Sequence, residues 1–100
     1  MSKLTIPLIS YKHRGRHVPA SLHPAIRAYI DEHRLPGHFL QAVICNDLSK
    51  ALARADPENL DNIIAITGFF YNEAPSPCWG SKEKMVAWVA RAKKDEDTDE

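Results

Sequence analysis

Asp56-Pro57-Glu58-Asn59-Leu60-Asp61-Asn62-Ile63-Ile64-Ala65-Ile66-Thr67-Gly68-Phe69-Phe70-Tyr71-Asn72 is the stretch on which the fold turns. Its first three residues are the clearest helix start in the chain. Asp56 supplies a capping carboxylate, Pro57 takes the first helical position, and Glu58 meets the positive end of the helix dipole. The remainder of the segment is apolar on most sides: Leu60, Ile63, Ile64, Ala65, Ile66, Phe69, Phe70 and Tyr71. A helix apolar all round is a buried one, so 57–72 is expected to be the central element. The β-branched and aromatic residues of 63–71 would also suit a strand. The cap runs straight into the segment and no partner strand is evident, which decides for helix.

Towards the C-terminus, Pro75-Ser76-Pro77-Cys78-Trp79-Gly80-Ser81 forms a stiff loop whose Ser81 can cap a last helix. Met85, Trp88, Val89 and Ala92 then give the i, i+3, i+4, i+7 stripe of a helix lying on a core. From Lys93 onward there is no apolar residue, and a disordered tail is expected.

Towards the N-terminus, Phe39, Leu40, Val43, Ile44, Leu48 and Leu52 recur at helical spacing between about Gly37 and Ala55. Asn46-Asp47 are poor helix-interior residues and good caps, so this stretch reads as one helix or as two shorter ones meeting at an angle. An earlier helix is expected from Ser21, as N-cap, with Pro24 in its first turn; Leu22, Ile26, Tyr29 and Ile30 form its apolar face, and Leu35-Pro36-Gly37 ends it. Leu4, Ile6 and Leu8 alternate with Thr5 and Pro7, the period of an extended arm. Tyr11 to His17 is polar and broken by Gly15, and reads as a loop.

One hundred residues make a single domain. The 44% hydrophobic and 26% charged content is that of an ordinary globular chain rather than a disordered or fibrous one. No run reaches the roughly 18 apolar residues of a membrane span. The opening residues lack a signal-peptide core, so a cytoplasmic setting is expected. Cys45, inside Ala42-Val43-Ile44-Cys45, reads as a buried thiol, and Cys78, in its loop, as the one that can be exposed. Two cysteines are too few for a disulfide scaffold, and both are expected reduced. The zero net charge hides a polarity: residues 1–34 carry six Lys/Arg against two acids, and 95–100 carry five acids and no base.

Few motifs carry chemistry. Lys12, Arg14 and Arg16 cluster beside Tyr11 and can meet phosphate or an acidic partner, or can simply be a solvated loop. His13 and His17 have the i, i+4 spacing of helical metal ligands, but Gly15 between them argues against a helix and no Cys/His pair follows at zinc spacing; neither metal nor cofactor is expected. No glycine-rich phosphate cradle or nucleophile elbow is present, and no base is evident beside Cys78, so no enzyme is expected. A helix-turn-helix reader needs Arg, Lys, Asn or Gln facing a groove, and the 60–71 segment contains no Lys or Arg and is too apolar to be exposed. Trp79 is either a lid on the core or an anchor for a partner. The acidic run Asp95, Glu96, Asp97 keeps the chain soluble or engages a basic partner.

Several of these signatures occur together in another setting. Pro36-Gly37, Phe39-Leu40-Gln41-Ala42-Val43-Ile44-Cys45-Asn46-Asp47-Leu48, Ala55-Asp56, Cys78-Trp79-Gly80-Ser81-Lys82-Glu83-Lys84 and Trp88 form a pattern that resembles small proteins of tailed phages and prophages. The resemblance spans Leu35 to Arg91, over half the chain, and leaves out the basic loop and the acidic tail. It implies a genomic setting rather than a mechanism: such accessory proteins commonly bind a phage or host protein, and some block host defence systems.

The expected architecture is therefore all-α, a compact bundle of about four helices with an extended N-terminal arm and a disordered acidic C-terminal tail. Its parts are a basic arm and loop (1–20), a helical domain (21–93) and the tail (94–100). The expected function is non-catalytic binding of a host or phage protein through Lys12, Arg14, Arg16, Trp79, Asp95, Glu96 and Asp97, with inhibition of a host defence complex as its sharpest form. The alternative is a small nucleic-acid-binding regulator that uses the Lys12–Arg16 loop. A homo-oligomer is compatible with either reading, and no membrane role is expected.

Overall fold

A computed structural model describes residue 8 and residues 11–98, the last six of them as backbone alone. A short hairpin, β1 (Lys12–His13) and β2 (Arg16–His17), precedes six α-helices among the described residues: α1 (His23–Glu32), α2 (His38–Ile44), α3 (Leu48–Arg54), α4 (Pro57–Asp61), α5 (Ile63–Asn72) and α6 (Lys82–Thr98). The chain is thus mainly helical, as expected, with a hairpin added. The extended arm expected over Leu4–Leu8 lies outside the described residues except for Leu8, which is fully buried.

The helix count differs from four because both middle stretches divide. Asn46 adopts φ 63°, which ends α2, and Asp47 Oδ1 then accepts the Lys50 N–H at 3.2 Å to start α3. Asp56 caps as expected, accepting the Asn59 N–H at 2.7 Å. The helix it starts stops at Asn62, whose Nδ2 donates to the Glu58 carbonyl while its own carbonyl receives the N–H groups of Ala65 and Ile66, each at 3.0 Å. One side chain closes α4 and its backbone opens α5.

Two further boundaries shift. A 3-10 turn over Ala20–Leu22 feeds α1, so Ser21 does not cap it. At its other end His33 takes a left-handed conformation (φ 60°), and the Arg34 N–H reaches back to the Ala28 carbonyl at 3.1 Å; the helix closes before Leu35. Ser81 does cap α6, accepting the Lys84 N–H at 3.1 Å. The backbone of α6 stays helical through Thr98. The disorder expected from residue 94 is not borne out over the described part of the tail, whose backbone continues α6.

The core joins Ile26, Tyr29 and Ile30 of α1, Leu40, Val43 and Ile44 of α2, Ile66, Phe69 and Phe70 of α5, and Met85 and Trp88 of α6. α5 is central, yet the 57–72 segment is not buried on most sides: Leu60 of α4 and Ile64 and Tyr71 of α5 lie exposed. Gly68 marks where the hairpin sits on it. A Cβ there would stand 3.0 Å from the Tyr11 hydroxyl and 3.4 Å from the His13 ring, so a larger residue would push the hairpin away.

Three hydrogen bonds tie α1, α6 and the proline loop. Trp88 Nε1–H donates to the Tyr29 carbonyl at 2.8 Å, and His33 Nδ1–H donates to the Trp88 carbonyl at 2.8 Å. The Tyr29 hydroxyl donates to the Cys78 carbonyl. Trp88→Phe deletes the indole donor and leaves a partly filled space, and is expected to cost about 2 kcal/mol. Trp79→Phe, at a half-buried ring, is expected to cost under about 1 kcal/mol. Urea unfolding of the two variants checks the order.

Candidate functional site

Three surfaces carry residues available for contact. The first is the hairpin. Lys12 pairs with His17 and His13 with Arg16, joined by Arg14-Gly15 at φ 53° and 77°. Two successive positive φ values make a type I′ turn, which suits the right-handed twist of the strands. The segment read as a loop is therefore an ordered hairpin seated on α5: Tyr11 packs edge-on against Phe69 at 5.7 Å and accepts Asn72 Nδ2–H at 3.2 Å. Paired residues share a face of a strand pair, so Lys12 and His17 lie on one face and His13 and Arg16 on the other. Lys12, Arg14 and Arg16 are all exposed, but they surround the hairpin instead of forming a one-sided cluster. His13 and His17 lie on paired strands and not on a helix, in keeping with Gly15 between them.

The second surface is apolar. Leu48 and Leu52 stand one turn apart on α3; Leu60, Ile64 and Tyr71 lie on α4 and α5, and all five are exposed, Tyr71 at 72%. Leu48 and Thr67 line the same small crevice between α3 and α5, so these faces adjoin. Trp79 borders them, its ring edge-on to Tyr71 at 5.8 Å. It also packs against the core while half-buried, so one ring covers the core and meets an exposed aromatic neighbour. Spacing alone assigns Leu48, Leu52, Leu60, Ile64 and Tyr71 to the core, and the structure corrects that.

The third surface is a groove of about 510 Å3 between α2, α3 and the start of α6. Lys50, Arg54 and Lys82 stand on its walls, above Ala42, Cys45 and Met85. Sequence reasoning missed it. The like-charged i, i+4 pair Lys50 and Arg54 was the available signal, since such a pair is unfavourable on a helix unless something compensates it.

These surfaces do not merge into one site. Lys12, Arg14 and Arg16 sit on the hairpin and Trp79 in the proline loop, while Asp95, Glu96 and Asp97 lie in the distal part of α6, where only the backbone is described.

The cysteines exchange their expected settings. Cys78 is fully buried and Cys45 half-buried, and both are free thiols. Burial pushes the Cys78 thiol from its ordinary 9.0 up to about 12, and burial also raises that of Cys45, with the Lys82 ammonium opposing it. Cys78 is thus a neutral, inaccessible thiol at neutral pH, the opposite of an activated nucleophile.

No family model matches this chain, and no curated protein or solved structure is significantly similar to it.

Two measurements check the hairpin turn and the thiol. Arg14 occupies a left-handed position favoured by asparagine or glycine, so Arg14→Asn is expected to stabilise the fold by about 1 kcal/mol in urea unfolding. The unfolded chain ionises Cys78 near its ordinary 9.0, whereas the folded chain holds the proton to about 12. The stability this contributes is whole below pH 9 and is lost as pH rises towards 12, at up to about 1.4 kcal/mol per unit. Cys78→Ala is expected to flatten that decline relative to the parent chain.

Proposed function

We infer that this chain is a non-catalytic binding protein whose partner is another protein. The observation that carries the reading is the exposed apolar face of Leu48, Leu52, Leu60, Ile64 and Tyr71, bordered by Trp79. Single exposed apolar residues are ordinary, but adjoining ones on three consecutive helices leave a patch that water solvates poorly and a partner covers well. Tyr71 and Trp79 add rigid aromatic area, the residue type that most often dominates an interface. The exposed hairpin cations Lys12, Arg14 and Arg16 and the acidic residues Asp95, Glu96 and Asp97, elsewhere on the chain, steer encounter more than they add affinity.

The resemblance to phage and prophage accessory proteins makes a host or phage protein in a bacterial cytoplasm the partner class, and inhibition of a host defence complex the sharpest form. A nucleic-acid regulator is the second reading, favoured by the three exposed cations around the hairpin. It has a distinct signature, because phosphate contacts release counterions and make binding steeply salt-dependent.

Affinity purification of the tagged chain from bacterial lysate is expected to recover a defined protein in stoichiometric amount. Ile64→Asp with Tyr71→Asp is expected to weaken that complex at least about tenfold, the loss of two apolar contacts, with an unchanged circular-dichroism melt. Recovery of no partner, or a complex indifferent to the double substitution, overturns the reading. Duplex DNA binding that falls with salt and vanishes in Arg14→Ala with Arg16→Ala would put the regulator in its place.

A further inference from the structure

The groove between α2, α3 and α6 belongs to none of the contacts above, and its chemistry differs from theirs. Its volume, about 510 Å3, lies within the range of sites that bind small ligands or peptide segments. Its charge is one-sided. Lys50 and Arg54 stand on α3, Lys82 faces them from the first turn of α6, and His38 lines it from α2. The one carboxylate among the lining residues, Asp47, has its Oδ1 engaged by the Lys50 N–H as the cap of α3. Between the cations the surface is apolar: Ala42, Cys45 and Met85, with the Cys45 thiol directed at the Met85 sulfur at 3.8 Å.

The spacing of the cations selects among anions. Lys50 and Arg54 are one helical turn apart, which sets them about 6 Å apart along α3. An extended peptide presents side chains on one face every second residue, at a repeat of about 6.6 Å. Carboxylates at alternating positions therefore fall in register with the two cations. The residue between them turns to the opposite wall, where Lys82 stands. We propose that this groove binds an acidic peptide segment in extended conformation, with alternating carboxylates on Lys50 and Arg54. The site is independent of the apolar face, so either can fail without the other.

A fluorescein-labelled octapeptide of alternating glutamate and alanine, titrated with the full chain at low salt and followed by fluorescence anisotropy, tests this. Saturable binding is expected with half-saturation below about 1 mM. Lys50→Gln with Arg54→Gln is expected to weaken it roughly fivefold, the scale of two exposed ion pairs, and Lys82→Gln to weaken it less. All three residues are exposed, so the fold is retained, which a circular-dichroism melt checks. A peptide of the same composition with its glutamates in one block is expected to bind several-fold more weakly, and Lys12→Gln with Arg16→Gln to leave binding unchanged. Absence of saturable binding overturns the proposal. So does equal binding by the Lys50/Arg54 variant or by the blocked peptide, or an equal loss in the hairpin variant. A concentration-dependent mass in sedimentation that the Lys50/Arg54 substitutions abolish also overturns it, because the occupant is then a second copy of this chain.

Discussion

Trp88 is bonded to α1 through both of its polar ends. Its indole N–H donates to the Tyr29 carbonyl and its own carbonyl accepts the His33 ring N–H, each at 2.8 Å. A ring and a carbonyl on one helix thus face a carbonyl and a ring on the other, which sets both the distance and the rotation between α1 and α6. The arrangement also explains why His33 occupies a left-handed conformation, which carries a penalty of about 1 kcal/mol or more for a residue with a Cβ. The buried hydrogen bond of its ring and the ring contact with Trp88, 4.6 Å between centroids, offset that penalty.

The rest of the structure hangs on that pairing. With α6 held, the proline loop is closed from behind by the Tyr29 hydroxyl on the Cys78 carbonyl and from the front by the Gly80 N–H on the Ile44 carbonyl at 2.7 Å. The second bond brings α2 to the start of α6, and α3 continues from α2 through the Asn46-Asp47 bend. Lys82 is thereby set across from Lys50 and Arg54. The groove is a consequence of how the loop is anchored, since no direct bond is needed between the cations that define it.

The legible part of the sequence was local. Asp56, Ser81 and Asp47 announce helix starts because an N-cap is a property of one side chain and the backbone within three residues of it. The apolar faces of α1 and α6 were legible for the same reason, as 3.6-residue periods. The hairpin was not: its strands are two residues long, and Arg14-Gly15 lacks the Asn-Gly or Asp-Gly signal that a type I′ turn ordinarily carries. Its stability comes from Tyr11 against Phe69 and from the space Gly68 leaves, contacts across more than fifty residues. The settings of Cys45 and Cys78 reversed because neighbours in sequence do not decide burial. Cys78 enters the core at the end of a 3-10 turn, while Cys45 ends a helix at the edge of a groove.

The division of α4–α5 at Asn62 accounts for most of what sequence reasoning misjudged about the contact surface. A single straight helix with apolar residues on nearly every side has to be buried on every side. Ending α4 at Asn62 and restarting the chain as α5 lets one side of α5 receive the hairpin, with Asn62 Oδ1 accepting the His17 N–H at 3.4 Å, and another receive the core. Ile64 and Tyr71 are then left exposed, Tyr71 meeting only the edge-on ring of Trp79 among the ring contacts of the described residues, and Leu60, Leu48 and Leu52 stay exposed with them. The apolar content that marked this segment as the centre of the fold is more than one domain of this size encloses. The surplus is concentrated on adjoining faces and stays in contact with water, because covering it from within would mean closing the side of α5 that receives the hairpin or the core.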